Sequence, residues 1–371
     1  MARPLAYLDY NATAPLRAAA REAVVAALAV DGNPSSVHQA GRAARRLVEA
    51  SRVQVADALS VTPAQVIFTS GATEANNMAL ATPVGPALVG AIEHDSILAA
   101  APHAERIPVD HHGLVNLTWL SERLARPPVP VLVAVQAVNN ETGVIQPVAA
   151  VATLAKAVGA RFLCDAVQAV GRMPVDLTTT GADYLSLSAH KLGGPKGVGA
   201  LVVRDGVPVP KLLAGGGQER RRRAGTENVA AIAGFGAAIA DAMAGLGDDH
   251  RVRDLRDRME VELHAVRPDA PIYGVQAPRV ANTTCIGLPG MPSTTQLMAL
   301  DLDGIAVSAG SACSSGKVAA SHVLTAMGLT SAAAGEAIRV SLGWATTAAE
   351  VERFLATWSR LAHKALSRQV A

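Results

Sequence analysis

The feature that most constrains this chain is a series of short apolar runs separated by segments long enough for a helix. Apolar runs of this length predict strands that are buried on both faces, and helices between such strands predict a mainly parallel sheet. Helices are expected between them, for example at 74–81 and 148–158, and two more at 15–30 and 37–59. The predicted strands are QVIFTS (65–70), ALVGAI (87–92), VPVLVAVQAV (129–138), RFLCDAV (161–167), YLSLSA (184–189) and GALVVR (199–204).

A change in composition near residue 248 predicts a second domain. The chain of 371 residues is long enough for two domains. From 248 a highly charged helix, DDHRVRDLRDRMEVELHAV, is followed by shorter strands and a last helix from 347 to about 366. We therefore expect a large domain over 15–248 and a smaller α+β domain over 249–371, which the arm 1–14 joins. Only the charge shift marks this boundary.

Composition and charge favour a globular enzyme that acts on small molecules. Hydrophobic residues make up 50% of the chain and charged residues 17%, and the net charge is only +2. This balance gives no reason to expect nucleic acid as a ligand. The first ten residues hold no apolar core, and the longest uncharged run, 280–300, is broken by Asn, Thr, Gly and Pro. We expect a cytoplasmic protein with no membrane segment.

A metal site is not expected. The three cysteines, Cys164, Cys285 and Cys313, are scattered, and the histidines show no HExxH spacing. Cys164 and Cys285 stand in apolar strand contexts, which predicts burial. Cys313 stands among glycines and serines, so we expect it on a mobile, exposed loop spanning Ser308 to His322.

The segment SGATEANN (70–77) is a first candidate site. A strand ends near Gly71 and a helix begins with Ala72 and Thr73. The unpaired N–H groups of a helix N-terminus attract a phosphate, and the Thr73 hydroxyl adds a donor. An ordinary capped helix after a strand is the alternative.

Polar residues after two later strands form a second candidate site. Asp165 and Gln168 lie at the carboxyl end of one strand, and Ser188, His190 and Lys191 lie at the end of the next. Ligands of open α/β sheets bind at the carboxyl ends of strands. A lysine there is suited to a Schiff base with pyridoxal phosphate, and an aspartate is suited to the pyridinium nitrogen. An aspartate that merely begins a turn is the alternative for Asp165.

Charged runs outside these sites are expected to face solvent. On the helix 37–59 we place five side chains on the exposed face: Arg42, Arg45, Arg46, Glu49 and Arg52. The run Arg220 to Arg223 is interpreted as a solvated turn, with an acidic or nucleic-acid partner as the alternative.

Ordered motifs along nearly the whole chain resemble those of one family. The motifs are YLDYNATAP (7–15), GNPSSVH (32–38), FTSGATEANN (68–77), EHDSI (93–97), VNNETGVIQP (138–147), CDAVQAVG (164–171), SLSAHKLGGPKGVGAL (186–201), GGGQERRRRAGTENV (215–229), SAGSACSSG (308–316) and IRVSLG (338–343). With these motifs the chain is similar to cysteine desulfurases of the NifS/IscS type, within the class V aminotransferases. This resemblance implies the pyridoxal-phosphate transferase fold of type I, with a seven-stranded sheet that has helices on both faces.

The resemblance also implies roles for individual residues. Lys191 would carry pyridoxal 5'-phosphate, His94 would stack on its ring, Asp165 would hold the ring nitrogen and Gln168 would contact the phenolic oxygen. The phosphate would lie against the helix start at Ala72 and Thr73, with Ser188 and His190, and Thr226 would reach it from the other subunit of a homodimer. Asn140 and Arg339 would hold the substrate carboxylate, and Cys313 would take the sulfur as a persulfide.

The activity implied by this resemblance is the conversion of L-cysteine to L-alanine. The persulfide would then pass to an acceptor protein, such as an iron–sulfur scaffold or a thiolation protein. Another class V pyridoxal enzyme, an aminotransferase or a selenocysteine lyase, is the alternative within the fold. A sulfur-carrier scaffold without catalysis is the alternative from another class, and the intact Lys191, Asp165 and His94 argue against it.

Overall fold

A computed structural model describes residues 4–81, 85–310 and 320–370. The strands, in chain order, are β1 (Ala6–Tyr7), β2 (Val66–Thr69), β3 (Ala87–Gly90), β4 (Glu105–Ile107), β5 (Leu132–Gln136), β6 (Arg161–Asp165), β7 (Tyr184–Ser188), β8 (Gly199–Val203), β9 (Ile272–Tyr273), β10 (Thr283–Gly287), β11 (Ile305–Ala306) and β12 (Ala337–Ser341).

The helices join and cover these strands. In chain order they are α1 (Ala18–Leu28), α2 (Gln39–Ala58), α3 (Ala72–Leu80), α4 (Asp95–Leu98), α5 (Leu117–Leu124), α6 (Val148–Ala157), α7 (Leu177–Thr180), α8 (Val229–Ala244), α9 (Asp249–Val266), α10 (Ser293–Leu302), α11 (His322–Ala326), α12 (Ser331–Ala334) and α13 (Ala348–Val370).

A seven-stranded sheet forms the larger part of the molecule. Its strand order is β2-β8-β7-β6-β5-β3-β4. Every neighbouring pair is parallel except the two pairs that β8 makes with β2 and β7. The predicted α/β class and mainly parallel sheet are therefore confirmed.

Alternate residues of the central strands pack on opposite faces of this sheet. On β5, Val133 and Val135 join the apolar cluster that contains residues of α1, α2 and α8. Leu132 and Ala134 join the cluster that contains residues of α3. Both faces are thus covered by helices, which explains why a central strand such as β5 is apolar on both sides rather than alternating.

A smaller part of the molecule, with its own three-stranded sheet, follows the large sheet in the chain, and we call it the second layer. The antiparallel sheet β12-β10-β9 packs with α9 and α13 around a separate apolar cluster that contains Trp358. The arm near the N-terminus contributes to this part, because β1 pairs in parallel with β11. The domain boundary at residue 248 stays a prediction.

The structure contains each predicted strand of the large sheet within a few residues, but one strand of that sheet was not predicted. β4, with the sequence ERI, pairs only with β3 at the edge of the sheet. Its three residues include two charged side chains, so the apolar pattern gives no signal there.

Within the described ranges, no helix is long and apolar enough to cross a membrane.

The prediction that Arg52 is exposed is wrong. Its side chain on α2 is 4% exposed and donates to both carboxylate oxygens of Glu219, at 2.7 and 2.9 Å. It also donates to the Val66 carbonyl oxygen at 3.0 Å and lies over the Phe68 ring. The partner Glu219 is 167 residues away in the chain, so helical spacing alone could not reveal it.

The interpretation of Arg220 to Arg223 as a solvated turn holds for half of the run. Arg220 and Arg221 are exposed. Arg223 is half-buried and pairs with Glu74 at the start of α3, at 2.7 and 3.1 Å, and Arg222 donates to the Glu219 carbonyl oxygen at 3.3 Å. Arg222 also donates to the Val66 carbonyl oxygen of β2 at 3.3 Å. The second half of the run therefore holds the turn against β2 and α3.

Candidate active site

A cavity of about 550 Å³ opens at the carboxyl ends of β5, β6 and β7. It is the place where ligands of open α/β sheets bind. The lining includes ten of the residues that the sequence singled out: Ala72, Thr73, His94, Asn140, Asp165, Gln168, Ser188, His190, Lys191 and Arg339.

Two predicted site residues are not part of the described lining. Thr226 is exposed, on the segment between β8 and α8. Cys313 and most of the predicted loop lie in 311–319, outside the described residues, so the structure does not test their position or mobility. Gly310 and His322, on either side of that segment, both line the cavity.

Lys191 occupies a one-turn helix directly after β7. Its Nζ donates to the carbonyl oxygens of Asn11 and Ala12, at 2.6 and 3.0 Å. Burial, followed by the charges of Arg339 and Arg172, lowers the pKa of Lys191 to about 8. Much more of this amine is neutral near pH 7 than in an exposed lysine.

Asp165 is the last residue of β6, and its neighbour in the sheet, β7, leads to Lys191. One carboxylate oxygen accepts from the Val167 backbone N–H at 3.0 Å and the other from Asn76 Nδ2 at 2.9 Å. Its side chain lines the cavity although the residue is only 6% exposed. This carboxylate is fixed in place and can face a cationic nitrogen of a ligand.

The start of α3 forms one wall of the cavity. Gly71 precedes the helix, and Ala72 and Thr73 are its first residues, as predicted. The close packing behind this wall requires glycine at position 199, where a Cβ atom would lie 2.7 Å from Gly71 Cα and 2.4 Å from the Leu187 carbonyl oxygen. Ser188 ends β7 beside it.

His190 lies between this wall and Lys191. Burial, and then the charges of Lys191 and Lys196, lower the pKa of His190 to about 4. The imidazole is therefore neutral at pH 7, with Nδ1 3.2 Å from Thr13 Oγ1. A neutral imidazole can still donate one hydrogen bond to an anion.

His94 and Gln168 are held by neighbouring groups. His94 caps α4, and its Nδ1 accepts from the Ser96 backbone N–H at 3.0 Å. Gln168 donates from Nε2 to the Asn11 carbonyl oxygen at 3.0 Å and accepts from Arg172. Both side chains line the cavity with their orientation already set.

Arg339 enters the cavity from β12, in the second layer. Its neighbours Ile338 and Val340 point into the apolar cluster there, and Arg339 between them lines the cavity. Nη1 donates to the Asn140 carbonyl oxygen at 3.1 Å, and Nη2 donates to Asp9 Oδ1 at 2.7 Å. The two residues predicted to bind a carboxylate are thus in contact.

Two buried carboxyl groups near the cavity were not predicted. Glu93 accepts from the Gln136 backbone N–H at 2.9 Å, and Glu141 accepts from Ser321 Oγ at 2.6 Å. Burial raises the pKa of both groups, well above the usual value for Glu93, whose pKa the nearby Asp165 raises further. Burial therefore favours the neutral form of both carboxyl groups.

Sequence reasoning also missed the arm 9–13. Asn11 supplies a carbonyl oxygen to both Lys191 and Gln168, and Thr13 contacts His190. The motif YLDYNATAP contained these residues, but nothing in its spacing indicates contact with a lysine about 180 residues later. Asn76, which fixes Asp165, was missed for the same reason.

The cavity suits pyridoxal phosphate in its donor chemistry. It combines a buried amine of lowered pKa, a fixed carboxylate, and a helix start flanked by a hydroxyl and a neutral imidazole.

Cys164 and Cys285 are buried and do not line this cavity, and burial raises the pKa of both thiols. Among the described residues, no cluster of His, Cys, Asp and Glu could hold a metal ion.

Comparison with known proteins gives consistent matches over nearly the whole chain. The sequence model of the family Aminotransferase class-V matches residues 6–354. A protein of Cereibacter sphaeroides called cysteine desulfurase is 43% identical, covering 94% of this chain and 93% of its own length. The protein called cysteine desulfurase IscS from Dictyoglomus turgidum is 38% identical, covering 96% of this chain and 94% of its own length. The solved structure of a NifS-like protein from Rickettsia africae superposes on this chain with a TM-score of 0.91 at 35% sequence identity. The match covers 96% of this chain and 99% of the Rickettsia africae chain.

Proposed function

The chain belongs to the class V aminotransferases and has the function of a cysteine desulfurase, and we propose how the residues of its site perform that function. L-cysteine is the substrate and L-alanine the product. The near-complete coverage of relatives bearing the name cysteine desulfurase supports this activity over the aminotransferase and selenocysteine lyase alternatives.

We propose that the cavity binds pyridoxal phosphate. Lys191 would hold it covalently through Nζ, Asp165 would face its ring nitrogen, and His94 would stack on the ring. Its phosphate would lie at the start of α3, against Ala72 and Thr73, with Ser188 and His190. When bound, the cofactor supplies an electron sink for charge that develops on the substrate.

The residues of the chain orient the substrate and hold its protons. Arg339 would grip the substrate carboxylate with two parallel hydrogen bonds, and Asn140 would lie beside it. Asp165 favours a protonated ring nitrogen because a carboxylate stabilises the charged form of a neighbouring base. Lys191, with a pKa of about 8, can take up and release a proton near neutral pH.

Cys313 would be the sulfur acceptor. Its thiolate would form a bond to the substrate sulfur as the bond between that sulfur and the substrate's Cβ breaks. The electron pair stays with the carbon fragment, which takes up the proton of the substrate thiol and leaves as alanine. The cavity contacts of Gly310 and His322, on either side of 311–319, support a position of Cys313 near the substrate.

We also propose that the enzyme is a homodimer that passes its persulfide to an acceptor protein. Thr226 is exposed outside the cavity, and the nearby Leu212 and Leu213 are 45% and 44% exposed. A second subunit packed on this surface would cover these leucines and could bring its Thr226 to the phosphate. An iron–sulfur scaffold or a thiolation protein has the chemistry to receive the sulfur.

The main structural support for this function is that Lys191, Asp165 and Arg339 line the same cavity. Purified holoenzyme given L-cysteine and a thiol reductant should release alanine and sulfide in equal amounts. Cys313→Ser should keep the cofactor but form no persulfide, whereas Cys164→Ser and Cys285→Ser serve as matched controls that retain activity. Equal loss in all three variants would show that the reactive thiol was assigned wrongly.

A further inference from the structure

Asp9 lies between the guanidinium of Arg339 and the hydroxyl of Ser308. Its Oδ1 accepts from Arg339 Nη2 at 2.7 Å, and its Oδ2 accepts from Ser308 Oγ at 2.7 Å. The side chains of Arg339 and Asp9 are 6% and 15% exposed. Each carboxylate oxygen therefore has its own donor in a nearly dry environment, where such bonds are strongest.

The backbone fixes all three residues relative to one another. Arg339 and Ser308 exchange both backbone hydrogen bonds, at 2.6 and 3.1 Å. The arm that carries Asp9 is tied to Ser341 on both sides, through the Tyr10 N–H at 3.1 Å and the Leu8 carbonyl oxygen at 2.8 Å. The carboxylate is thus placed by three separate stretches of chain, and not by a flexible surface rotamer.

The contacts of Arg339 leave donors for a second carboxylate. A guanidinium has five N–H donors. The hydrogen bonds to Asp9 and to the Asn140 carbonyl oxygen use one N–H of each terminal nitrogen. Asp9 contacts Arg339 through a single oxygen, so it constrains the direction of the guanidinium without occupying a complete bidentate edge.

We propose that Asp9 is a positioning residue that orients Arg339 for the carboxylate of the substrate. The proposal rests on the proposed role of Arg339. It gives a function to the motif at 7–15 beyond the contacts of Asn11 and Thr13. Without the charge of Asp9, the guanidinium would be a buried cation with weaker constraint on its direction.

The test uses two ligands that differ only in the carboxylate. Holoenzyme is titrated with L-alanine and with ethylamine, and binding is followed by the absorbance change of the bound cofactor. Asp9→Asn keeps the size of the side chain and removes its charge. It should weaken L-alanine binding about ten-fold or more, because the bond it alters is charge-assisted, and leave ethylamine binding within about two-fold.

Two further variants keep the outcome decisive. Ser308→Ala leaves both charges in place and should cause a smaller loss, about two- to four-fold, for L-alanine alone. Arg339→Ala should abolish the preference for L-alanine over ethylamine. If Arg339→Ala keeps that preference, the proposed role of Arg339 is wrong, independently of Asp9.

Three results would overturn the inference while leaving Arg339 in its role. An equal loss for both ligands in Asp9→Asn would indicate a general structural role. Unchanged binding of both would show that the charge of Asp9 has no effect. Tighter binding of L-alanine would show that Asp9 competes with the substrate for the guanidinium.

Discussion

At the scale of single residues, burial shifts the pKa values of several site residues more than the charges of their neighbours do. The largest cause of the lowered pKa at Lys191 and at His190 is burial, and the same cause raises the pKa of Glu93 and Glu141. Burial disfavours every charged form, so it shifts bases and acids alike toward their neutral forms. Asp9 and Arg339 form an ion pair in the same site.

The lowered pKa of Lys191 leads to a prediction about cofactor attachment. Attack on an aldehyde needs the neutral amine, and at pH 7 about a tenth of a group with a pKa of about 8 is neutral, against fewer than about one in a thousand for an ordinary lysine. We expect the rate of attachment to the apoprotein to rise with pH and to level off above about pH 8.

Stopped-flow absorbance after mixing apoprotein with pyridoxal phosphate measures this rate. Lys191→Ala gives the background from other lysines, and borohydride reduction followed by peptide mapping identifies the modified residue. A rate that keeps rising beyond about pH 10 would mean that Lys191 titrates like an exposed lysine. Labelling of another lysine alone would remove Lys191 from its role.

Sequence reasoning located Lys191 and Asp165 but could not locate Asp9, Asn11 or Asn76 as parts of the site. Asp165 ends one apolar strand and Lys191 closely follows the next, and the carboxyl ends of parallel strands are a known place for ligands. The others act through contacts with residues far away in the chain, such as the 330 residues between Asp9 and Arg339. Such pairs become visible only when the fold brings them together.

At the scale of elements, apolar runs predicted the buried strands, but local patterns gave no signal for the charged strand β4 or for the burial of Arg52 on α2. β4 is short and charged, and α2 buries Arg52 against Glu219. In both cases the stabilising partner lies outside the local window that a sequence pattern covers. Helix and strand ends differ from the prediction by a few residues, as expected for frayed ends.

The buried pair of Arg52 and Glu219 should be important for stability. Both side chains are less than 5% exposed, at 4% and 2%. Arg52→Ala leaves an unpaired carboxylate in the interior and should lower the free energy of unfolding by about 3–5 kcal/mol. Arg46→Ala, on an exposed turn of the same helix, is the matched control and should change it by less than about 0.5 kcal/mol.

Urea unfolding of the two variants and the parent, followed by circular dichroism, measures this difference. The double variant Arg52→Met with Glu219→Leu removes both charges and should recover part of the lost stability, because no buried charge is left unpaired. Similar losses in Arg52→Ala and Arg46→Ala would show that the pair contributes little.

At the scale of the whole molecule, the site is assembled from both layers of the fold. The large sheet supplies Lys191 and Asp165, the strand β12 supplies Arg339, and the arm supplies Asp9 and Asn11. Thr226 is the predicted site residue that the described fold leaves exposed and away from the cavity. In the proposed homodimer, a second copy of the chain would bring this residue to the phosphate.

Mixing two defective variants tests whether each site is shared between subunits. Lys191→Ala removes the anchor of the cofactor, and Thr226→Val removes only a hydroxyl, so each homodimer should have little activity. In a hybrid dimer one site carries both defects and the other carries neither. After the two variants are unfolded and refolded together, about half of the dimers should be hybrids, and half of the sites in those hybrids should be intact. This should restore about a quarter of the parent activity.

Sedimentation measures whether the samples are dimeric, and the two variants refolded separately are the control. Full activity in a sustained monomer, or no recovery in verified hybrids, would contradict a site completed by the second subunit.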